Sequence, residues 1–361
     1  MKLVTFYLPQ FHPTEVNDKW YGKGFTEWTN VAKAKPLFRG HYEPHIPADL
    51  GFYDLRVPEV RREQAAMAEE YGLSAFCYWT YWFGAGKTLL DMPIWEVYKD
   101  KSITFPFCLA WANHNWEKKL WDSKGNNQLI AEQKYLGEKD YTDFFYHMLP
   151  LFRDERYFRI DGKLFFIIYA PQDSDEIPKF IDVWRNLAEQ EGIGDFYFVG
   201  RDSASRAKNK ILSTGCDAIY NDNTYDIHHK LPLVKKVVLK TQRFLFKMPT
   251  VFQYKDAIKY MVCDDASEEN VIPVVVPNWD HSPRSGGNAI LLHNCEPKYF
   301  EEVLEKAKEA VSNKPKEKQV VIVKAWNEWG EGNHLEPDLR YGRGYLEAIK
   351  RVQGKGESFE R

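Results

Sequence analysis

The sequence predicts a single (β/α)8 barrel, and three observations carry that expectation. Eight short apolar runs recur along the 361 residues. Most are separated by segments with helical spacing, and no glycine-rich phosphate turn follows the first run. Alternating strands and helices call for a parallel sheet with helices outside it. Eight such units in one domain's length call for closure into a barrel. A doubly wound open sheet shares the alternation but usually carries a glycine turn after its first strand. The barrel is expected over residues 1–352, with a frayed C-terminal tail over 353–361.

Lys2–Leu8 (KLVTFYL) reads as the first strand, stopped by Pro9. A long loop from Gln10 to Asp54 follows, too rich in Trp, Tyr and His to be a plain linker; ordered loops of this length usually carry function. Val57–Tyr71 places Val60, Gln64, Met67 and Tyr71 at helical spacing, and Gly72 ends it. Further strands are expected at Leu73–Trp79, Phe105–Ala112, Lys163–Tyr169 and Phe196–Gly200, then Asp217–Tyr220, Val271–Val276 and Gln319–Lys324. The last is a β-branched run of the kind buried on both faces. Helices are expected at Asp140–Phe152, Asp175–Gln190, Arg206–Ser213, Pro297–Val311 and Tyr345–Val352. Lys230–Met261 has no clear assignment.

Bulk composition narrows the function. A formal net charge of −3 gives no strong general attraction to nucleic acid or anionic lipid. The five cysteines are widely spaced, and Cys77 and Cys108 sit inside apolar runs, as small buried hydrophobes rather than disulfides or metal ligands. No apolar run reaches membrane-span length, and Met1-Lys2 leads straight into a strand, so a cytoplasmic protein is expected. A periplasmic one is the alternative if a leader has been removed.

The aromatic content, 16%, has a pattern. Ten of the twelve tryptophans fall at strand ends or in the loops after strands, where barrel enzymes keep their reacting groups. They are Trp20, Trp28, Trp79, Trp82, Trp111, Trp116, Trp121, Trp279, Trp326 and Trp329. Indoles mixed with Asn, Asp, Glu and His suit a sugar site, because pyranose faces stack on aromatic planes while hydroxyls need polar partners. The competing reading is an interface or a buried loop cluster.

One stretch organises the rest: Gln319–Pro337, QVVIVKAWNEWGEGNHLEP. Glu328 and Glu331 stand three residues apart between indoles and glycines. In a continuing strand they would point to opposite faces. Glycines let the backbone leave strand geometry, and in a helical turn the two become neighbours. Cleaving a glycosidic bond needs one group to protonate the leaving oxygen and another to act at the anomeric side, and a carboxylate pair supplies both. Trp326 and Trp329 are expected to wall and desolvate the pair, and mutual repulsion to raise the proton affinity of one acid toward neutral pH.

Rival chemistries lack their residues. There is no HExxH, nucleophile elbow, Walker loop or dinucleotide fingerprint, and no cofactor is expected. His12, His41, His45 and His114 are the residues that could gather as metal ligands after the first and third strands, but loop histidines more often hydrogen-bond, so no metal is expected. Lys230–Lys247 holds six basic residues and no acidic one. It reads either as an amphipathic helix touching a membrane surface or as a barrel helix with a lysine-rich solvated face, the second being preferred.

With these residues in hand, the chain resembles the WbsX-like proteins of bacterial surface-polysaccharide clusters, relatives of glycoside hydrolase family 99, the endo-α-mannosidases. The resembling segments are FYLPQFHP (Phe6–Pro13), NDKWYGKGFTEWTNV (Asn17–Val31), HIPADLGFYDLR (His45–Arg56) and FCYWTYWF (Phe76–Phe83). LAWANHNW (Leu109–Trp116), NWDHSPR (Asn278–Arg284) and AWNEWGEGNHLEPD (Ala325–Asp338) complete them. The resemblance implies the same barrel and a retaining, endo-acting glycoside hydrolase for α-linked mannose-like residues. It implies Glu328 as the base on the substrate 2-hydroxyl, by way of a 1,2-anhydro sugar, and Glu331 as general acid/base. Tyr7, Trp79, Trp111, Asn113, Trp116, Trp279 and Asn327 are the implied sugar contacts, with Trp28, Tyr169, Asp280, Trp326 and Trp329 completing the candidate site. His114 stands where the related pattern often has Glu. A glycosyltransferase or transglycosylase of O-antigen or capsular polysaccharide synthesis is the second reading, since the group often carries that label. A non-catalytic glycan-binding barrel is the third.

Overall fold

Why the chain closes on itself follows from eight parallel strands. The computed structural model describes residues 1–118, 127–203, 206–224, 226–246 and 248–354. The barrel strands are β1 (Lys2–Tyr7), β2 (Ala75–Trp82), β3 (Phe107–Trp111), β4 (Lys163–Ile168), β5 (Phe196–Ser203), β6 (Ala218–Asp222), β7 (Val271–Val275) and β8 (Val320–Val323). Each pairs in parallel with its neighbour, and β1 pairs with both β2 and β8, so no barrel edge is left open. β8 is four β-branched residues, all fully buried, as a two-faced parallel strand requires.

The outer helices include α1 (Pro58–Glu70), α2 (Met92–Lys99), α3 (Glu138–Phe152), α4 (Ile177–Gln190), α5 (Lys208–Leu212), α6 (Leu233–Phe246), α7 (Pro297–Val311) and α8 (Gly344–Gly354). α7 shows why they form. Its proline occupies the first turn, where no amide partner is lost, and Phe300, Val303, Leu304, Ala307 and Val311 make one buried stripe. The expected Arg206–Ser213 helix shortens to the five residues of α5. Residues 353 and 354 extend α8 beyond the expected end, while the rest of the expected frayed tail and Trp121 lie outside the described residues.

The Gln10–Asp54 loop is more regular than expected. It contains helices Glu15–Tyr21 and Trp28–Lys33, the first capped by the Thr14 side chain, which accepts from the Asn17 amide at 3.1 Å. Their short length leaves too few periods to show in the sequence. Lys230–Met261 resolves into α6 and a strand, Thr250–Gln253, paired with Ile290–His293. All five cysteines are free, and Cys77 and Cys108 sit buried side by side on β2 and β3. Among the described residues, no helix is long and apolar enough to cross a membrane.

Candidate active site

At the C-terminal mouth of the barrel the strands end in charged and aromatic residues that interlock. Phe6 of β1 stacks under Trp79 of β2, centroids 4.6 Å apart. Trp79 meets Tyr169 edge-on, and the Arg201 guanidinium of β5 lies 4.5 Å from the Tyr169 ring. Arg201 and Lys324 both pair with Asp222 at the end of β6, at 2.9 and 3.1 Å. Lys324 also sits 4.3 Å over the Trp279 ring. Although burial opposes it, these two cations hold Asp222 well below the usual carboxylate range.

Beyond β8 the chain makes a short ladder, Asn327–Glu328 against Asn333–His334, closed by one 3₁₀ turn over Trp329–Glu331. In such a turn residues three apart eclipse. Glu328 and Glu331 therefore meet, and both carboxylates contact Nη1 of Arg284, Glu328 at 3.4 Å and Glu331 at closer range. Each side chain is 14% exposed, sheltered yet reachable.

Gly330 permits this packing. A Cβ there would fall 2.0 Å from Oε2 of Glu27. Glu27 arrives from the loop after β1 and pairs with Arg284 at 3.1 Å, giving the guanidinium a third acid. Gly332 takes the left-handed conformation at φ +50°, and a Cβ on it would strike Asp280.

The electrostatics divide the pair. Burial, then the Glu331 charge, pushes Glu328 up to about 7. Burial acts against Glu331 too, but Arg284 and His281 override it and hold Glu331 well below the usual carboxylate range. His281 Nε2 lies 3.5 Å from Glu331. Of the two acids Glu328 has the higher proton affinity, whereas the implied division of labour starts with the proton on Glu331.

The expected walls are elsewhere. Trp326 is fully buried, beside Phe76, and Trp329 stacks on His334 at 3.7 Å while its Nε1–H donates to Glu336 at 2.6 Å. Burial and the charged groups around the carboxylates together set their proton affinities. Other candidates are buried as well. Tyr7 is 1% exposed with its hydroxyl donating to Gln64. Trp28 donates to the Tyr53 carbonyl, and Trp111 packs among Phe144 and Phe180. Asn113 spends its amide on Ala170 and Tyr135, Asn327 on Leu8 and Tyr53, and Asp280 on His41 and the Ser282 amide. Trp79, Trp116 and Tyr169 keep part of their surface open, and His114 lies beside Tyr169. A strand-end tryptophan reads alike whether it lines a groove or supports the loop above it.

Sequence reasoning missed Glu27, Arg284, His281, Lys324, Asp222, Arg201 and Glu336. Arg284 and His281 lie within NWDHSPR and Glu27 within TEW, but nothing local announces that these loops converge. Glu336 is buried beneath the turn and accepts from Tyr53, Gln64 and Trp329; burial pushes it up to about 7 against those hydrogen bonds.

Among the described residues, two histidine–carboxylate groups, His41–Glu43–Asp280 and His45–His334–Asp338, hold their polar atoms within 4.8 Å. Hydrogen bonds occupy most of these histidine nitrogens. His41 Nδ1 accepts from the Leu37 amide, so its Nε2–H donates to Asp280 at 2.6 Å. His334 Nδ1–H donates to the Glu336 carbonyl, and its Nε2 meets His45 Nδ1 at 3.0 Å.

The family model described as glycosyltransferase WbsX matches residues 3–349. The chain belongs to this family. A relative from Xanthomonas campestris, named uncharacterized protein WxcX, is 39% identical over 353 residues, 97% of this chain and 49% of its own length. The chain therefore spans about half the length of the curated relatives it matches. Among solved structures, a glycoside hydrolase-like protein superposes with a TM-score of 0.62 at 15% identity, over 97% of this chain and 93% of the other. The family 99 endo-α-mannosidase of Bacteroides thetaiotaomicron gives 0.58 at 15% identity, over 99% and 97%. At that identity the likeness establishes a shared barrel fold, one also used by a glycan-active enzyme.

Proposed function

We propose that this WbsX-family chain is a retaining glycoside hydrolase, endo-acting on α-linked mannose-like residues. One observation carries the reading: two carboxylates three residues apart share one guanidinium at the mouth of a closed parallel barrel. In the first step ionised Glu328 takes the proton of the sugar 2-hydroxyl, and the freed oxygen attacks C1. The leaving oxygen takes the proton of Glu331, and a 1,2-anhydro sugar remains. In the second step Glu331 takes a proton from water, the water oxygen bonds to C1 as the C1–O2 bond of the anhydro sugar breaks, and O2 recovers its proton from Glu328. Entry into the first step requires the proton to pass from Glu328 to Glu331. Arg284, already touching both, would exchange its closer contact for Glu328 as the sugar arrives.

The singly protonated pair is the active form, so the pH profile has a definite sign. Above pH 7 the pair loses its proton, and kcat/KM should fall about tenfold per unit. Between pH 5 and 6.5 it should stay flat, because Glu331 resists protonation. A rate that climbs through pH 7 to 8 would exclude this assignment.

The family's description supports a second reading, transfer, in which an acceptor hydroxyl replaces water. Incubating the protein with a panel of α-mannosyl oligosaccharides, with and without nucleotide sugars, separates the readings. Hydrolysis predicts shorter glycans without a nucleotide, the new reducing end appearing first as the α-anomer. Strict dependence on a nucleotide donor would sink it, and saturable binding without product would point to a binding protein.

A further inference from the structure

Helix α6 exposes an apolar stripe beside the expected solvated lysines. Leu233, Val234, Val237, Val238 and Leu245 are 48–77% exposed. At about 100° per residue they span an arc of roughly 140° on one side of the helix. Leu239, on the opposite side, packs against the core. Lys235, Lys236 and Lys240 flank the apolar stripe, Arg243 lies further round toward Leu239, and no acidic residue lies between Lys230 and Lys247. An ordinary outer helix of a barrel buries its apolar stripe and turns its charges outward; α6 presents its apolar stripe outward with cations beside it. This is the layout of a helix lying in a bilayer interface, apolar side chains among the acyl chains and basic ones at the headgroups.

We propose that α6 docks this protein on an anionic lipid surface. Charge decides the occupant. The whole chain carries −3, so a helix whose own residues include four cations and no acid is a local reversal, complementary to an anionic bilayer and not to a second copy's identical cationic face. The helix follows β6 after residues 223–232, and β6 ends in Asp222 of the candidate site. Docking therefore tethers a loop of the barrel mouth to the surface. The inference needs only α6 and holds whether the site hydrolyses or transfers.

Flotation with vesicles of phosphatidylcholine alone, or mixed equally with phosphatidylglycerol, tests it at 50 and 500 mM salt. The full chain should float with anionic vesicles at low salt and be released at high salt. It should bind far less to phosphatidylcholine alone. The double variant V234D/V238D should abolish flotation, and Lys240→Gln should weaken it about fivefold. Because these side chains are exposed, circular dichroism should stay unchanged in both. No flotation of the folded wild type on anionic vesicles overturns the proposal. So does equal binding by V234D/V238D, or concentration-dependent dimerisation removed by that variant without any vesicle binding.

Discussion

Glu331→Gln should lower kcat by about 10²–10⁴-fold while leaving glycan affinity close to wild type. The amide has nearly the same shape but can neither give nor take the proton that the leaving oxygen and the water require. Arg284 keeps its contacts to Glu27 at 3.1 Å and to Glu328 at 3.4 Å, so the turn should remain assembled. Calorimetric titration with a non-cleaved oligosaccharide, beside turnover of a cleaved one, separates binding from chemistry. Turnover equal to wild type would remove Glu331 from the mechanism. Equal loss of binding and turnover would make it a positioning residue instead.

Arg284→Met should have the largest effect on stability, on the order of 3–5 kcal/mol at pH 8. The guanidinium is 19% exposed and faces three acids; without it Glu27, Glu328 and Glu331 confront one another in a sheltered site. Protonation can relieve that repulsion. The variant should bind more protons when folded than when unfolded, so its deficit should shrink as pH falls from 8 to 5. Urea unfolding at both pH values measures it. A deficit below about 1 kcal/mol, or one that grows on acidification, would show that Arg284 does not hold the cluster together.

The legible part of this protein was local. β8 announced itself because a β-branched run buried on both faces needs no partner to be recognised, and α7 because its apolar period is its own. The Glu328–Glu331 turn was readable for the same reason: spacing and glycine are properties of neighbouring residues. The tryptophans were misread in part. Trp111, Trp326 and Trp329 look like groove residues by composition, yet burial depends on which loop lies above each ring.

The sequence by itself determined the barrel, the paired acids and the absence of acid beside the lysines of α6. Only tertiary structure decided which carboxylate holds the proton. It brought Glu27 from the loop after β1 and Arg284 from the loop after β7 to the same turn, and it set the α6 stripe toward solvent. Strand and turn preferences act between residues adjacent in sequence, whereas a proton's affinity answers to every charge within several ångströms, whatever its place in the chain.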